Sequence, residues 1–231
     1  MVVIMEKITK YAIFNCVEQD QDLIDGLEEA LNERVEDIYE FFDTELQRKQ
    51  VNINIIPTKQ QYDEIVMKKT NKTKIPDWEI GNASNGGITQ VSLHDYGNTS
   101  HAFPPEKYDE FFDKFKKTMI HEYTHVIVNA YLAKHDAGYT LRYLNEGITQ
   151  YLSKQQENIE FNMIYSLEDI LESTYCYKEW FLLTKYIVEV KGQEYFLKLL
   201  RNRVQALAET PILYEEAKKY YESLKNINKV I

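Results

Sequence analysis

The hydrophobic positions of this chain change period along its length, and the change separates a half that carries strands from a half that does not. Over residues 22–47, Leu23, Leu27, Leu31, Val35, Ile38, Phe42 and Leu46 recur at three- and four-residue steps, the spacing of one face of a long amphipathic helix. A short strand is expected before it, at about residues 11–16. Val51-Asn52-Ile53-Asn54-Ile55 alternates residue by residue and predicts a strand ending at Pro57. Thr58 followed by Gln61 is a capping-box pattern, which predicts a helix through about Lys69. Residues 70–87 are rich in Asn, Gly, Thr and Ser and read as a loop, interrupted at residues 78–80. Alternation returns over residues 87–93, a second strand.

Beyond that point the period is helical. Pro104-Pro105 opens a helix on which Phe111, Phe112, Phe115, Met119, Tyr123, Val126, Ile127 and Ala130 share a face. Leu141, Leu144, Ile148, Tyr151 and Leu152 mark the next helix, after a loop containing His135, Asp136 and Gly138. Further helices are expected over residues 165–172, over 180–190 with an end near Lys191-Gly192, and over 194–208. Pro211 is expected to precede a last one over residues 213–226. Strands confined to the first half indicate an α+β fold, a small N-terminal sheet packed on the helix after Pro105 and followed by a mostly helical C-terminal part. With 231 residues, 44% of them hydrophobic, the chain is expected to form a single unit, α/β through residue 134 and helical from 135.

The formal charge of −10 argues against a nucleic-acid partner, because no basic stripe is available to neutralise phosphates. Lys68-Lys69 and Lys116-Lys117 are flanked by acids and read as solvated helix faces. Cys16 and Cys176 have no metal-ligand spacing and read as free thiols. The opening Met-Val-Val-Ile-Met turns charged at Glu6, too early for a secretory leader, and no apolar run is long enough for a membrane span. These features lead to the expectation of a cytoplasmic protein with no membrane partner. Asn-x-Ser/Thr triplets at Asn71, Asn82 and Asn98 carry little meaning without evidence of secretion.

The chemistry concentrates in His121-Glu122-Tyr123-Thr124-His125. Two histidines four apart on a helix project from one side, so both rings can reach one divalent ion. Glu122, next to the first, is then near enough to take a proton from a metal-bound water. A catalytic zinc site needs three protein ligands and an open position. Glu146 is the obvious third: it sits in a core-like helix a short loop later, beside Gly147, which lets another helix approach closely. His135 and Asp136 are the alternatives. They would have to fold back over the end of their own helix.

HEYTH followed by Leu144-Asn145-Glu146-Gly147-Ile148-Thr149-Gln150-Tyr151-Leu152 resembles the gluzincin, thermolysin-like metallopeptidases of the peptidase MA clan, and small peptidase MA-like proteins among them. The resemblance runs from about residue 52 to about residue 200, and only these two motifs are specific. It implies a zincin-like fold with one Zn2+ held by His121, His125 and Glu146, and Glu122 as general base. Many gluzincins have an Asp one turn after the ligand glutamate that orients a ligand histidine. Gln150 stands there in this chain and, with Asn145, is the expected outer support; a neutral amide raises ligand basicity less than a carboxylate. The resemblance also implies that residues 87–93 form the sheet edge beside the cleft, with the loop of residues 81–87 near it, so that Gly87, Ile88, Thr89, Gln90 and Val91 would bind an extended peptide by main-chain hydrogen bonds.

The function these features imply is zinc-dependent hydrolysis of peptide bonds, by an endopeptidase or an aminopeptidase-like enzyme acting on a peptide or protein substrate. A zinc-dependent regulator acting on or binding one protein partner, or a zinc-binding module without turnover, are the alternatives. Retention of Glu122 favours chemistry, since a purely structural site has no use for a base. The oxyanion donor is expected to be Tyr177, which precedes an aromatic-rich helix. His94, His101, Tyr139, Tyr143 and Tyr175 are its alternatives.

Overall fold

The computed structural model describes residues 4–156, 159–160, 162–173 and 175–228. The chain forms two compact units, Met1–Ile127 and Val128–Ile231, and the fold is α+β.

The first unit is built on a five-stranded mixed sheet of order β1-β2-β3-β5-β4. β1 (Ile4–Ile8) pairs antiparallel with β2 (Ala12–Val17). β3 (Val51–Ile56) lies parallel to β2, with Phe14 beside Ile53, and β5 (Gly87–Val91) lies parallel to β3, with Ile53 beside Ile88. Parallel neighbours need a crossover, and α1 (Gln21–Phe42) and α2 (Lys59–Thr70) supply the two required. The alternation legible in β3 becomes a face: Phe14, Ile53 and Ile88 are fully buried in one row. Gln90, also fully buried, donates from Nε2 to the carbonyl of Phe115 at 3.2 Å. That bond fixes the apolar face of the sheet against α3 (Tyr108–Lys134), the helix of the HEYTH motif.

Local chemistry explains where elements start and stop. The hydroxyl of Thr58 accepts the Gln61 N–H and caps α2, as the sequence pattern predicts. α1 ends at Phe42, five residues short of the expected end, because Asp43 turns extended and its carboxylate accepts the Glu45 N–H at 2.8 Å. β1 was not expected, and it forms because the two strands zip from Ile8 opposite Ile13.

The stretch expected to be loop before residue 87 contains β4 (Gly81–Ser84), which pairs antiparallel with β5 through a tight turn. Asn85 and Gly86 both hold positive φ, 51° and 74°, which matches the twist of a two-residue hairpin. This arrangement corrects the position expected of Gly87, Ile88, Thr89, Gln90 and Val91. β5 is bonded on one side to β3 and on the other to β4, and Ile88 through Val91 are buried, so no peptide can add there. The edge is β4.

The second unit is helical: α4 (Arg142–Ser153), α5 (Leu167–Glu172), α6 (Tyr177–Tyr186), α7 (Gln193–Arg201) and α8 (Arg203–Asn228). A π-helical stretch, Ile187–Lys191, extends α6 to Gly192, whose φ of 100° redirects the chain into α7. Trp180 is fully buried and donates its indole N–H to the Ile170 carbonyl at 2.9 Å, tying α6 to α5. The helix boundary expected at Pro211 falls instead at Asn202, whose side chain accepts the Gln205 N–H at 3.0 Å and caps α8. Pro211 lies on an exposed face of α8, where water can serve the carbonyl left without its amide donor. The opposite face, with Ala206, Thr210, Leu213, Ala217 and Tyr221, is buried and holds the helix together across the proline.

The closest helix contact of this unit is α4 on α6 at Gly147. A Cβ there would lie 2.1 Å from Thr184 Oγ1 and 2.5 Å from the Trp180 carbonyl oxygen. Gly147→Ala is therefore expected to destabilise the protein by roughly 1–3 kcal/mol, read from denaturant midpoints. Adding Thr184→Ala should restore only part of the loss, since the backbone carbonyl remains. In the first unit Asp20 is fully buried, and burial pushes its carboxyl above the ordinary value of 3.8. The folded form then keeps a proton that the unfolded form has released, so Asp20 costs the fold increasingly as pH rises above 3.8. Asp20→Asn should accordingly raise the midpoint more at pH ~7 than at pH ~4.

Candidate metal centre

α3 sets the two histidines by a rotation that is anchored on its far side. Tyr123 is fully buried, and its hydroxyl donates to the Tyr11 carbonyl at 3.1 Å, pinning the helix to the start of β2. Two residues either way, His121 and His125 project from the other side. Their Nε2 atoms face each other at 3.1 Å, with ring centroids 4.7 Å apart and planes at 80°. Two nitrogens bound at 2.0–2.1 Å to one tetrahedral ion would sit about 3.3 Å apart, so the two rings, at hydrogen-bond distance here, are also spaced to share a cation.

Glu146 lies in the first half of α4. Ligand-capable atoms of His121, His125 and Glu146 all lie within 4.8 Å of one another, and these three form the one such group among the described residues. Two imidazoles and a carboxylate are a donor set suited to zinc. The alternatives to Glu146 lie outside the group. His135 is exposed with its ring against Tyr131, and Asp136 holds a left-handed turn at φ 49°.

Gln150 sits one turn after Glu146, buried at 1% exposure. Its amide nitrogen donates to the Glu146 carbonyl at 3.3 Å, while its Oε1 has no hydrogen-bond partner among the described residues. Its acceptor capacity is thus unspent, as the expected supporting role requires. Asn145 is half-buried beside Glu146.

The other singled-out residues divide clearly. His94 meets Asp22 at 3.1 Å, and His101 donates to the Trp78 carbonyl at 3.0 Å, so both rings are engaged elsewhere in the first unit. Tyr143 is a core residue bonded to Thr210 at 2.8 Å. Tyr139 and Tyr175 are exposed. Tyr177 opens α6, half-buried, with its ring edge-on to Trp180 at 5.1 Å.

Gly81, from the loop expected near the cleft, lies against Glu122, which is itself only 8% exposed, as does Thr118, and Tyr62 lies within range of its charge; the sequence reading singled out neither Thr118 nor Tyr62. A Cβ built on Gly81 would meet Glu122 Cγ and Oε1 at 3.0 Å and Thr118 Cγ2 at 3.2 Å. Tyr62, from α2, is fully buried and feels the charge of Glu122. The Asn85-Gly86 pair was the available signal for Gly81, because it marks a hairpin whose outer strand must begin near residue 81.

Comparison with models of protein families, with curated proteins and with solved structures finds no match to this chain.

Zinc titration of the metal-free protein is expected to saturate at one ion per chain. His121→Ala, His125→Ala and Glu146→Ala should each weaken binding by more than the ~10–100-fold that loss of an outer support causes. Full zinc affinity in Glu146→Ala would remove that residue from the ligand set.

Proposed function

We propose that this protein is a zinc-dependent peptidase of zincin-like fold that hydrolyses peptide bonds with Glu122 as general base. The observation that carries the reading is the convergence of His121, His125 and Glu146 within 4.8 Å, with a glutamate adjoining the first histidine on the same helix. These three residues would hold the ion. When bound, zinc supplies Lewis acidity towards a carbonyl oxygen and lowers the pKa of water.

The remaining work falls to the chain. Glu122 takes a proton from the attacking water as the oxygen adds to the scissile carbonyl carbon. It then gives that proton to the amine nitrogen as the C–N bond breaks. Its burial suits this task, since a carboxylate withdrawn from bulk water passes protons to the substrate and not to solvent. The edge strand β4 begins against Glu122 and would take an extended peptide as a further strand, by main-chain hydrogen bonds with little side-chain selectivity. Tyr177 is the proposed donor to the tetrahedral oxyanion. A cytoplasmic location belongs to the same proposal. Both cysteines are free and buried, and no helix among the described residues is long and apolar enough to cross a membrane.

Glu122→Gln should keep the zinc stoichiometry and the fold, and lose hydrolysis of a quenched fluorescent peptide library by roughly 10²–10⁴-fold. Retained activity would sink the mechanism, whereas lost zinc would make Glu122 a ligand. Tyr177→Phe should lower kcat by about 10²-fold at unchanged zinc content, as expected for one missing oxyanion donor.

A further inference from the structure

Two residues on elements that bear none of the proposed ligands act on Glu122, one by contact and one through its charge. On one side is Gly81, the first residue of β4, whose missing side chain leaves the space that Glu122 Cγ and Oε1 occupy. The far wall of that space is Thr118, one turn earlier on α3. From α2 comes Tyr62, with no exposed surface and a hydroxyl that has no hydrogen-bond partner among the described residues. Burial pushes this phenol far above its ordinary range, and Glu122 is the first of the nearby charges adding to the effect, ahead of Glu79 and Asp63. The hydroxyl therefore stays protonated and remains a donor.

A buried donor left unsatisfied costs the fold about 1–3 kcal/mol, so its retention calls for an acceptor. A glutamate side chain has three rotatable bonds, and a misplacement of about 1 Å in a reacting group can cost 10²-fold in rate. A general base next to a ligand histidine consequently needs walls and a donor to hold it.

We propose that Gly81 and Tyr62 are positioning residues for Glu122: the bare Cα of the edge strand makes room for the carboxylate, and the buried Tyr62 hydroxyl, unpartnered among the described residues, donates to it through one water. The inference rests on the reading of Glu122 as the base. It makes α2 and the edge strand part of the machinery although neither touches the metal. It also couples the two tasks of β4, which would bind the peptide with its outer edge while fixing the base with its first residue.

The test uses the zinc-loaded full chain and the same peptide library. Gly81→Ala and Tyr62→Phe are each expected to lower kcat by about tenfold, with zinc at one per chain and KM within about twofold. Tyr62→Phe is then repeated in a Glu122→Asp background, where the carboxylate is withdrawn by one methylene. A positioning role predicts that the tenfold loss shrinks below about twofold there, because the contact is already broken. A purely structural role predicts the same loss in both backgrounds, and that result overturns the proposal, as does unchanged kcat in both single variants. If either variant fails to fold, as read by circular dichroism, the other decides alone. Full activity in Glu122→Asp and Glu122→Gln would instead defeat the reading of Glu122 as base, an outcome distinct from failure of its positioning.

Discussion

Two imidazole nitrogens facing each other at 3.1 Å on a buried helix face are the constraint around which the rest is arranged. If neutral, one ring can donate its Nε2–H to the lone pair of the other, an N–H···N hydrogen bond. A divalent ion between them would instead use both lone pairs at once. Holding such a pair requires a helix that cannot turn about its axis. α3 meets that need through Phe115 and Met119, fully buried against the sheet, and through the bond from Tyr123 to the backbone of Tyr11.

The second unit answers the same need by a different route. Glu146 sits on a helix that approaches α6 so closely that residue 147 can carry no side chain. Such an approach leaves little freedom for α4 to slide or rotate, because the fixed points include a backbone carbonyl, that of Trp180. The indole of Trp180 is in turn anchored to α5. Rigid elements place functional groups more accurately than loops do, and here each proposed ligand lies on a helix with a close-packed opposite side.

Much of this was readable in the sequence, and the parts that were not share a cause. The cap of α2, the alternation of β3 and the two helices bearing His121, His125 and Glu146 are local signals, each complete within a dozen residues. Which strand lies at the edge is not local. Residues 87–91 carry an alternating pattern whether or not another strand covers them, and Gly81-Asn82-Ala83-Ser84 has little strand preference of its own. It is a strand because β5 offers it a partner. The proline in α8 teaches the same lesson in reverse: Pro211 is a strong local stop signal, overridden by the buried face that runs from Ala206 to Tyr221. The contact of Gly81 with Glu122 and the nearness of Tyr62 to its charge were missed for a related reason, since closeness across forty or more residues leaves no periodic trace.

The shortness of β4 has a bearing on how the molecule behaves in a crowded solution. An exposed sheet edge that can receive one extended chain can also receive a strand from a second copy, the first step towards aggregation. Four residues, two of them Asn and Ser, offer few main-chain bonds and no apolar side to extend them into a stack. The tight Asn85-Gly86 turn ends the edge abruptly on one side. An edge this brief suits the short, reversible pairing proposed for it and is a poor template for self-association.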